Sequence, residues 1–239
     1  MLKVMQIPVL TDNYIYLIHE EDKNITAVID PAEAKPVLEE LKNQGWNLDY
    51  ILNTHHHYDH IGGNKQLKSE TGCKVVGFAN DAHRITGIDI KLNDGDNFDI
   101  GNSTAKVMFV PGHTLGHIIY YFEKDKILFC GDTLFSMGCG RLFEGTYEQM
   151  YQSLNKISAL PDDVEVYCAH EYTQNNAEFA LTIEPDNQDL KDRYEQVKSL
   201  RKHKKPTIPT NIGLEKRTNP FLRCNLDEFV DIRGKKDNF

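Results

Sequence analysis

Short apolar and alternating runs open the chain. Leu2–Ile7, Tyr14–His19 and Ile25–Ile29 are separated by polar and turn residues, a pattern that predicts three strands. Asp30-Pro31 breaks the run. Val37, Leu38 and Leu41 then recur at helical spacing and predict a helix stopping at Gly45. Tyr50–Leu52 predicts a buried strand, and Lys74–Phe78, Asn97–Ile100, Ala105–Val110, Ile118–Phe122 and Lys126–Cys130 predict a further strand-rich stretch. A helix is expected over Tyr147–Ser158, with Val164–Cys168 as the last strand. Beyond Tyr172 the pattern turns helical, over Gln174–Ile183 and Asn187–Arg201, ending near Pro206. Elements in this order predict a layered α/β sandwich followed by a small α-helical appendage.

Charge changes this picture by region. The net charge of −9 is uneven: residues 198–239 hold 11 Lys/Arg against 5 Asp/Glu, leaving 16 against 31 in residues 1–197. An acidic body argues against nucleic acid as a partner, and the basic tail suits an anionic small molecule. No apolar run approaches the roughly 18 residues of a membrane span, so no membrane partner is expected. The stretch from Met1 to Pro8 reads as a first strand, not a secretory leader. Five cysteines, widely spaced and without a C-x-x-C pair, predict no disulfide framework and no thiolate cage. A reducing, cytoplasmic location and a monomer are expected.

Candidate chemistry gathers where strands end. Seven of the ten histidines lie in three short segments. Thr54-His55-His56-His57-Tyr58-Asp59-His60 follows the strand Tyr50–Leu52, and Pro111-Gly-His113-Thr-Leu-Gly-His117 follows Ala105–Val110. Ala169-His170-Glu171-Tyr172 follows Val164–Cys168, and Cys130-Gly131-Asp132 closes another strand. In an extended loop His55 and His57 project to one side, with Asp59 and His60 beyond the turn. Imidazole and carboxylate together suit Zn²⁺, Fe or Mn²⁺. Cys130 and Cys168 read as small buried hydrophobes.

The string H-x-H-x-D-H with a later His, Asp and His resembles the metallo-β-lactamase superfamily. T-H-H-H-x-D-H-x-G-G, P-G-H-T-x-G-H and G-D-T-L-F-x-x-G-C-G, with H-E-Y-T and the terminal Lys235-Lys236-Asp237-Asn238-Phe239, resemble the glyoxalase II (hydroxyacylglutathione hydrolase) family. That resemblance implies a metallo-β-lactamase-like αββα sandwich over residues 1–172 and a small C-terminal α-helical, glutathione-binding domain over residues 173–239. It implies two divalent ions, zinc first, with iron or manganese as alternatives. One takes His55, His57 and His113, the other Asp59, His60 and His170, with Asp132 bridging. His56 and Tyr58 hold variable positions, and His117 is a packing residue.

The implied reaction is hydrolysis of S-2-hydroxyacylglutathione, such as S-lactoylglutathione, to glutathione and D-lactate, the second step of methylglyoxal detoxification. The nucleophile would be a metal-bridging hydroxide formed by lowering the pKa of water from about 15.7 toward neutrality. Asp59 and Asp132 are the implied catalytic carboxylates. No G-x-S-x-G motif offers an alternative nucleophile. A leaving thiolate with a conjugate-acid pKa near about 8.5 needs little proton donation. Glutathione carries two carboxylates, and the family positions for meeting it are Arg141, Phe143, His170, Tyr172, Arg233 and Lys236. Many relatives have Lys and Tyr where Arg141 and Phe143 stand. Arg keeps the charge, whereas Phe143 lacks the hydroxyl. Competing readings are a one-iron persulfide dioxygenase, a lactamase or nuclease, and a non-catalytic metal-binding protein. The complete second ligand set argues against the first and the last, and the helical tail with the Gly-Cys-Gly loop against a lactamase or nuclease.

Overall fold

A computed structural model describes residues 2–239; Met1 lies outside the described residues. The chain forms two compact units. The first runs to Phe109 and resumes over Gly116–Gly131, and the second takes Val110–Leu115 and Asp132–Phe239.

The first unit holds β1 (Leu2–Val9), β2 (Asn13–Glu20), β3 (Ile25–Ile29), α1 (Ala34–Gln44), β4 (Tyr50–Leu52), α2 (Tyr58–Ile61), α3 (Asn64–Thr71), β5 (Lys74–Phe78), β6 (Ile88–Leu92), β7 (Asn97–Ile100), β8 (Ser103–Phe109), β9 (Ile118–Phe122) and β10 (Ile127–Gly131). β1, β2 and β3 pair antiparallel, and β3 through β6 pair parallel in chain order. β7, β8, β9 and β10 form an antiparallel meander. Every residue of β2 is buried, which requires cover on both faces. Side chains alternate across a strand. Ile15 and Leu17 therefore join Val37 and Leu41 of α1 and Leu67 of α3 in one core. Tyr16, on the other face, meets Phe129 of β10 at 5.4 Å, and Phe78 of β5 stacks on Phe109 of β8 at 4.9 Å. Helices thus cover one face of the first sheet and the meander covers the other.

The second unit holds β11 (Leu134–Phe135), β12 (Gly138–Cys139), α4 (Tyr147–Ser158), β13 (Glu165–Cys168), α5 (Thr173–Ile183), α6 (Gln188–Lys202), β14 (Thr210–Asn211), α7 (Ile212–Thr218) and α8 (Leu226–Asp237). β11 and β12 form a tight hairpin, Leu134 opposite Cys139. Ala177, Ala180, Leu190 and Val197 from α5 and α6 enclose Met137 at the hairpin's turn. Capping boxes start α4 (Thr146 with Gln149) and α8 (Asn225 with Glu228).

Two expectations change. Val164–Cys168 is not the last strand, because β14 pairs antiparallel with β13, Val166 opposite Thr210. A two-residue strand has no alternation to read. Lys126 lies outside β10, in the turn before it, with φ +57°. α2, α3, β6, β11, β12, α7 and α8 are further elements beyond the expected set. α3 buries only Asn64 and Leu67 and so shows no apolar stripe.

Candidate functional site

In the first unit the parallel register sets Ile29 beside Leu52, so the strand ends Asp30 and Asn53 come abreast. Asn53 is fully buried and donates to the His60 carbonyl at 3.0 Å, closing the loop that carries the histidines. Asp30 takes a left-handed φ of +49°, a conformation Asp tolerates. Its Oδ1 accepts from the Thr54 backbone N–H at 2.8 Å. Its Oδ2 accepts from the Thr54 hydroxyl at 2.6 Å and faces His60 Nδ1 at 3.0 Å.

These contacts determine where the imidazole protons sit. The carboxylate can only accept, so His60 Nδ1 carries the hydrogen and Nε2 keeps its lone pair. The Thr54 hydroxyl has given its hydrogen to Asp30, so it accepts from His55 Nδ1, 3.1 Å away. His55 Nε2 is then also a lone-pair nitrogen, and it lies 3.0 Å from His57 Nδ1. Asp59 Oδ2 sits 3.6 Å from His60 Nε2 and accepts from Asn13 Nδ2 at 3.0 Å. Asp30, His55 and His60 each offer a ligand atom within 4.8 Å of the others. His56 turns away to Asp81 at 3.1 Å, and Tyr58 is 81 % exposed. His117 is buried and stacks on the His55 ring at 4.7 Å. Gly131 has φ +50°, and a Cβ there would come within 2.4 Å of Thr54 Oγ1, so only glycine fits behind this loop.

The second unit presents the other predicted ligands. His113 Nδ1 meets the Arg141 carbonyl at 2.7 Å, which again leaves Nε2 with the lone pair. That Nε2 and His170 Nε2 both lie 3.4 Å from the same oxygen, Oδ2 of Asp132. At His113 a lone pair faces a carboxylate here. A charged N–H···O⁻ hydrogen bond would close to roughly 2.7–2.9 Å. A tetrahedral cation with bonds of about 2.1 Å keeps neighbouring ligand atoms about 3.4 Å apart. The residues therefore fit a divalent ion better than they fit each other. A Cβ on Gly140 would come within 1.9 Å of the Asp132 carbonyl, so the Gly-Cys-Gly loop folds directly over this ligand.

The predicted substrate residues also lie in this unit. Tyr172 stacks on the His170 ring at 4.8 Å. Phe143 is 61 % exposed and sets its ring edge-on to His113 at 5.2 Å. The Arg141 guanidinium lies 6.0 Å over the Phe143 ring and 3.6 Å from Asp237. Asp237 also accepts from Arg233 Nη2 at 3.1 Å. Arg233 is only 4 % exposed and holds the Cys139 carbonyl at 3.0 Å through Nη1, while its Nε has no hydrogen-bond partner among the described residues. Lys236 is half-buried over Phe179 and Phe239 and donates to Asn175 Oδ1 at 2.5 Å. Burial, helped by the Arg233 charge, lowers its pKa to about 8. All five cysteines are free thiols, and burial pushes Cys139 and Cys168 up, away from thiolate chemistry. Asp30 and Thr54 were missing from the candidate set; their only sequence signal was a polar residue directly after a strand.

Comparison with known proteins agrees with this chemistry. Residues 10–170 match the family described as metallo-beta-lactamase superfamily, and residues 171–239 match hydroxyacylglutathione hydrolase C-terminus. The chain is 53 % identical to hydroxyacylglutathione hydrolase from Methylococcus capsulatus, covering 100 % of this chain and 99 % of the relative. It is also 53 % identical to the Rhodospirillum rubrum protein of that name, over 98 % and 91 %. The crystal structure of ETHE1 from Myxococcus xanthus superposes with a TM-score of 0.75 at 27 % identity, covering 97 % of this chain and 90 % of that one. The fold is thus the metallo-β-lactamase fold with a C-terminal helical region. The chain belongs to the hydroxyacylglutathione hydrolase family of the metallo-beta-lactamase superfamily, and is a metal-dependent hydrolase.

Proposed function

We propose that the chain hydrolyses S-2-hydroxyacylglutathione, with S-lactoylglutathione as the representative substrate, to glutathione and a 2-hydroxy acid. The observation that carries the reading is that Nε2 of His113, a lone-pair nitrogen, and Nε2 of His170 both face one oxygen of Asp132, 3.4 Å from each. Continuous likeness to hydroxyacylglutathione hydrolases through residue 239 supports the substrate.

His55, His57, Asp59, His60, His113, Asp132 and His170 are the residues that would hold two divalent ions, zinc first, with Asp132 shared. Ions bound there supply Lewis acidity, which lowers the pKa of water and polarises a carbonyl oxygen. The remaining work falls to side chains. Asp30 and Thr54 hold the protons of His60 and His55 on the nitrogens away from the ligand side. Arg141 and Lys236 offer cations to the glutathione carboxylates, with the buried Arg233 adding positive charge and Tyr172 beside His170 as a wall. Phe143 contributes an apolar ring without a hydrogen bond. The leaving thiolate has a conjugate-acid pKa of about 8.5, so the chain needs no dedicated proton donor. The family matches, meeting at residues 170 and 171, support a catalytic domain over residues 1–172 and a glutathione-binding domain over 173–239. No helix among the described residues is long and apolar enough to cross a membrane. Five free cysteines support a reducing, cytoplasmic setting, and we take the active form to be a monomer.

The test is hydrolysis by protein loaded with zinc, iron or manganese, using S-lactoylglutathione beside a coenzyme A thioester, with elemental analysis of the same samples. The expected result is about two ions per chain and a kcat/KM for the glutathione thioester at least about 100-fold higher, the product of two carboxylate contacts of roughly 1.5 kcal/mol or more each. Equal rates on both thioesters would refute the substrate assignment, and full activity with one ion would refute the paired site.

A further inference from the structure

The segment from Thr207 to Asn219 carries buried polar side chains, Thr207, Thr210, Glu215 and Asn219, that tie it to the Asp132 and His170 loops of the second unit. At its start, Thr207 is 4 % exposed and gives its backbone N–H to Glu171 Oε2 at 2.8 Å and its hydroxyl to Glu171 Oε1 at 2.6 Å. Glu171 directly follows the ligand His170. β14 then pairs with β13, the strand that leads into His170. At its other end, the fully buried Glu215 accepts from the Ser136 hydroxyl (2.9 Å) and the Met137 N–H (2.8 Å). It also accepts from the Thr210 hydroxyl at 2.6 Å. Asn219, also fully buried, donates to the carbonyls of Phe135 (3.1 Å) and Gly138 (2.9 Å) and to Glu215 (3.0 Å). These acceptors and donors lie in the β11–β12 hairpin, which begins two residues after the ligand Asp132.

We propose that residues 207–219 form a strap whose Glu215 is a positioning residue, setting the spacing of Asp132 and His170 and with it the affinity for metal. A hairpin of two-residue strands cannot fix its own orientation. The packing of α5 and α6 around Met137 and the Arg233 bond to the Cys139 carbonyl hold the hairpin from other sides, and the strap adds the bonds that resist rotation of the Asp132 carboxylate away from His170. Outer partners of metal ligands act in this way, by removing alternatives and not by touching the ion. The C-terminal helical region then has a second task besides meeting glutathione. This rests on the reading of Asp132 and His170 as ligands.

The geometry also predicts which substitution rescues. Glu215 Oε2 faces two N–H donors, whereas Oε1 faces two hydroxyls that can reverse their hydrogens. Glutamine satisfies all four, with its oxygen on the Met137 and Asn219 side and its amide nitrogen on the Ser136 and Thr210 side. Burial pushes the Glu215 carboxyl up, while the four hydrogen bonds from Thr210, Met137, Ser136 and Asn219 pull it down.

The experiment is chelator competition for zinc on the full-length protein, with KM for S-lactoylglutathione and melting temperature measured on the same samples. Glu215→Ala should lower zinc affinity by about 10- to 100-fold. KM should stay within about twofold, because the glutathione contacts are untouched. Glu215→Gln should restore wild-type affinity. If Glu215→Ala does not fold, Thr207→Val carries the test at the other end of the strap, with an expected loss of roughly 2- to 10-fold, that of a single hydrogen bond. Melting temperatures that fall while zinc affinity stays at the wild-type value in both variants would overturn the strap and leave the metal reading intact. A wild-type protein that binds no zinc would overturn the metal reading, and the strap with it.

Discussion

Replacing Asp30 by asparagine changes one oxygen to an N–H₂ group and should disable two proposed ligands, His60 and His55, through the nitrogens that face away from the ligand side. The backbone tolerates the change, since asparagine accepts the left-handed φ of +49° as readily as aspartate. The Thr54 N–H still needs an acceptor, so the amide oxygen takes the Oδ1 position and the nitrogen takes Oδ2. That nitrogen now donates toward His60 Nδ1 and the Thr54 hydroxyl. His60 must accept at Nδ1, which moves its proton to Nε2, the nitrogen facing Asp59. The Thr54 hydroxyl, no longer donating to residue 30, turns its hydrogen to His55 Nδ1 and moves that proton to Nε2 as well.

Restoring the ligand tautomer in either ring leaves two buried donors facing each other, a cost of about 1–3 kcal/mol per site. Each 1.36 kcal/mol is a factor of ten, so zinc affinity should fall by roughly 10- to 100-fold, the range seen for lost outer partners of metal-bound histidine. Folding should survive, because the substituted amide still accepts from the Thr54 N–H. The assay is chelator competition on Asp30→Asn protein whose circular dichroism matches the wild type. Wild-type affinity for both ions would refute the proton assignment, and loss of fold would show that Asp30 is chiefly a structural brace.

Two further outcomes follow from the second unit. Asp132→Ala removes the oxygen that both His113 and His170 face, so it should cost more metal and more turnover than His170→Ala at matched zinc loading; a variant retaining two ions and near-normal kcat would refute the bridging role. Lys236, with its pKa lowered to about 8 by burial and then by Arg233, and with Glu178 as an opposing charge and the Cys139 thiol nearby, should bind a carboxylate well below pH 8 and lose it above. KM for S-lactoylglutathione should therefore rise through an inflection near pH 8 that Lys236→Arg abolishes, and an unchanged profile in that variant would assign the titration elsewhere. Its effect on folding has the opposite sense. Between pH 8 and 10.5 the unfolded chain keeps the proton that the folded one has lost, so this site's contribution to stability rises with pH.

What the sequence disclosed and what it withheld divide along a physical line. Val37, Leu41 and Gly45 marked α1 because period and cap are local, and Gly45 does take the left-handed φ of +70°. The ligand-type residues were legible because they cluster at strand ends, where a rigid sheet hands over to a loop. β6 was legible in principle, since Ile88, Ile90 and Leu92 alternate with Asp89 and Lys91. Asp30 was not. It meets Thr54 and His60, 24 and 30 residues away, through the register Ile29 opposite Leu52, and no spacing rule connects those positions until the strand order is known. Glu215 is the same case at longer range, reaching Ser136 across 79 residues. A motif names the atoms that can ligate, but a partner on a histidine's other nitrogen fixes which atom carries the lone pair, and for His60 and His113 that partner is supplied by tertiary structure. The residues hardest to find from sequence are therefore the ones that decide whether the legible ones can work.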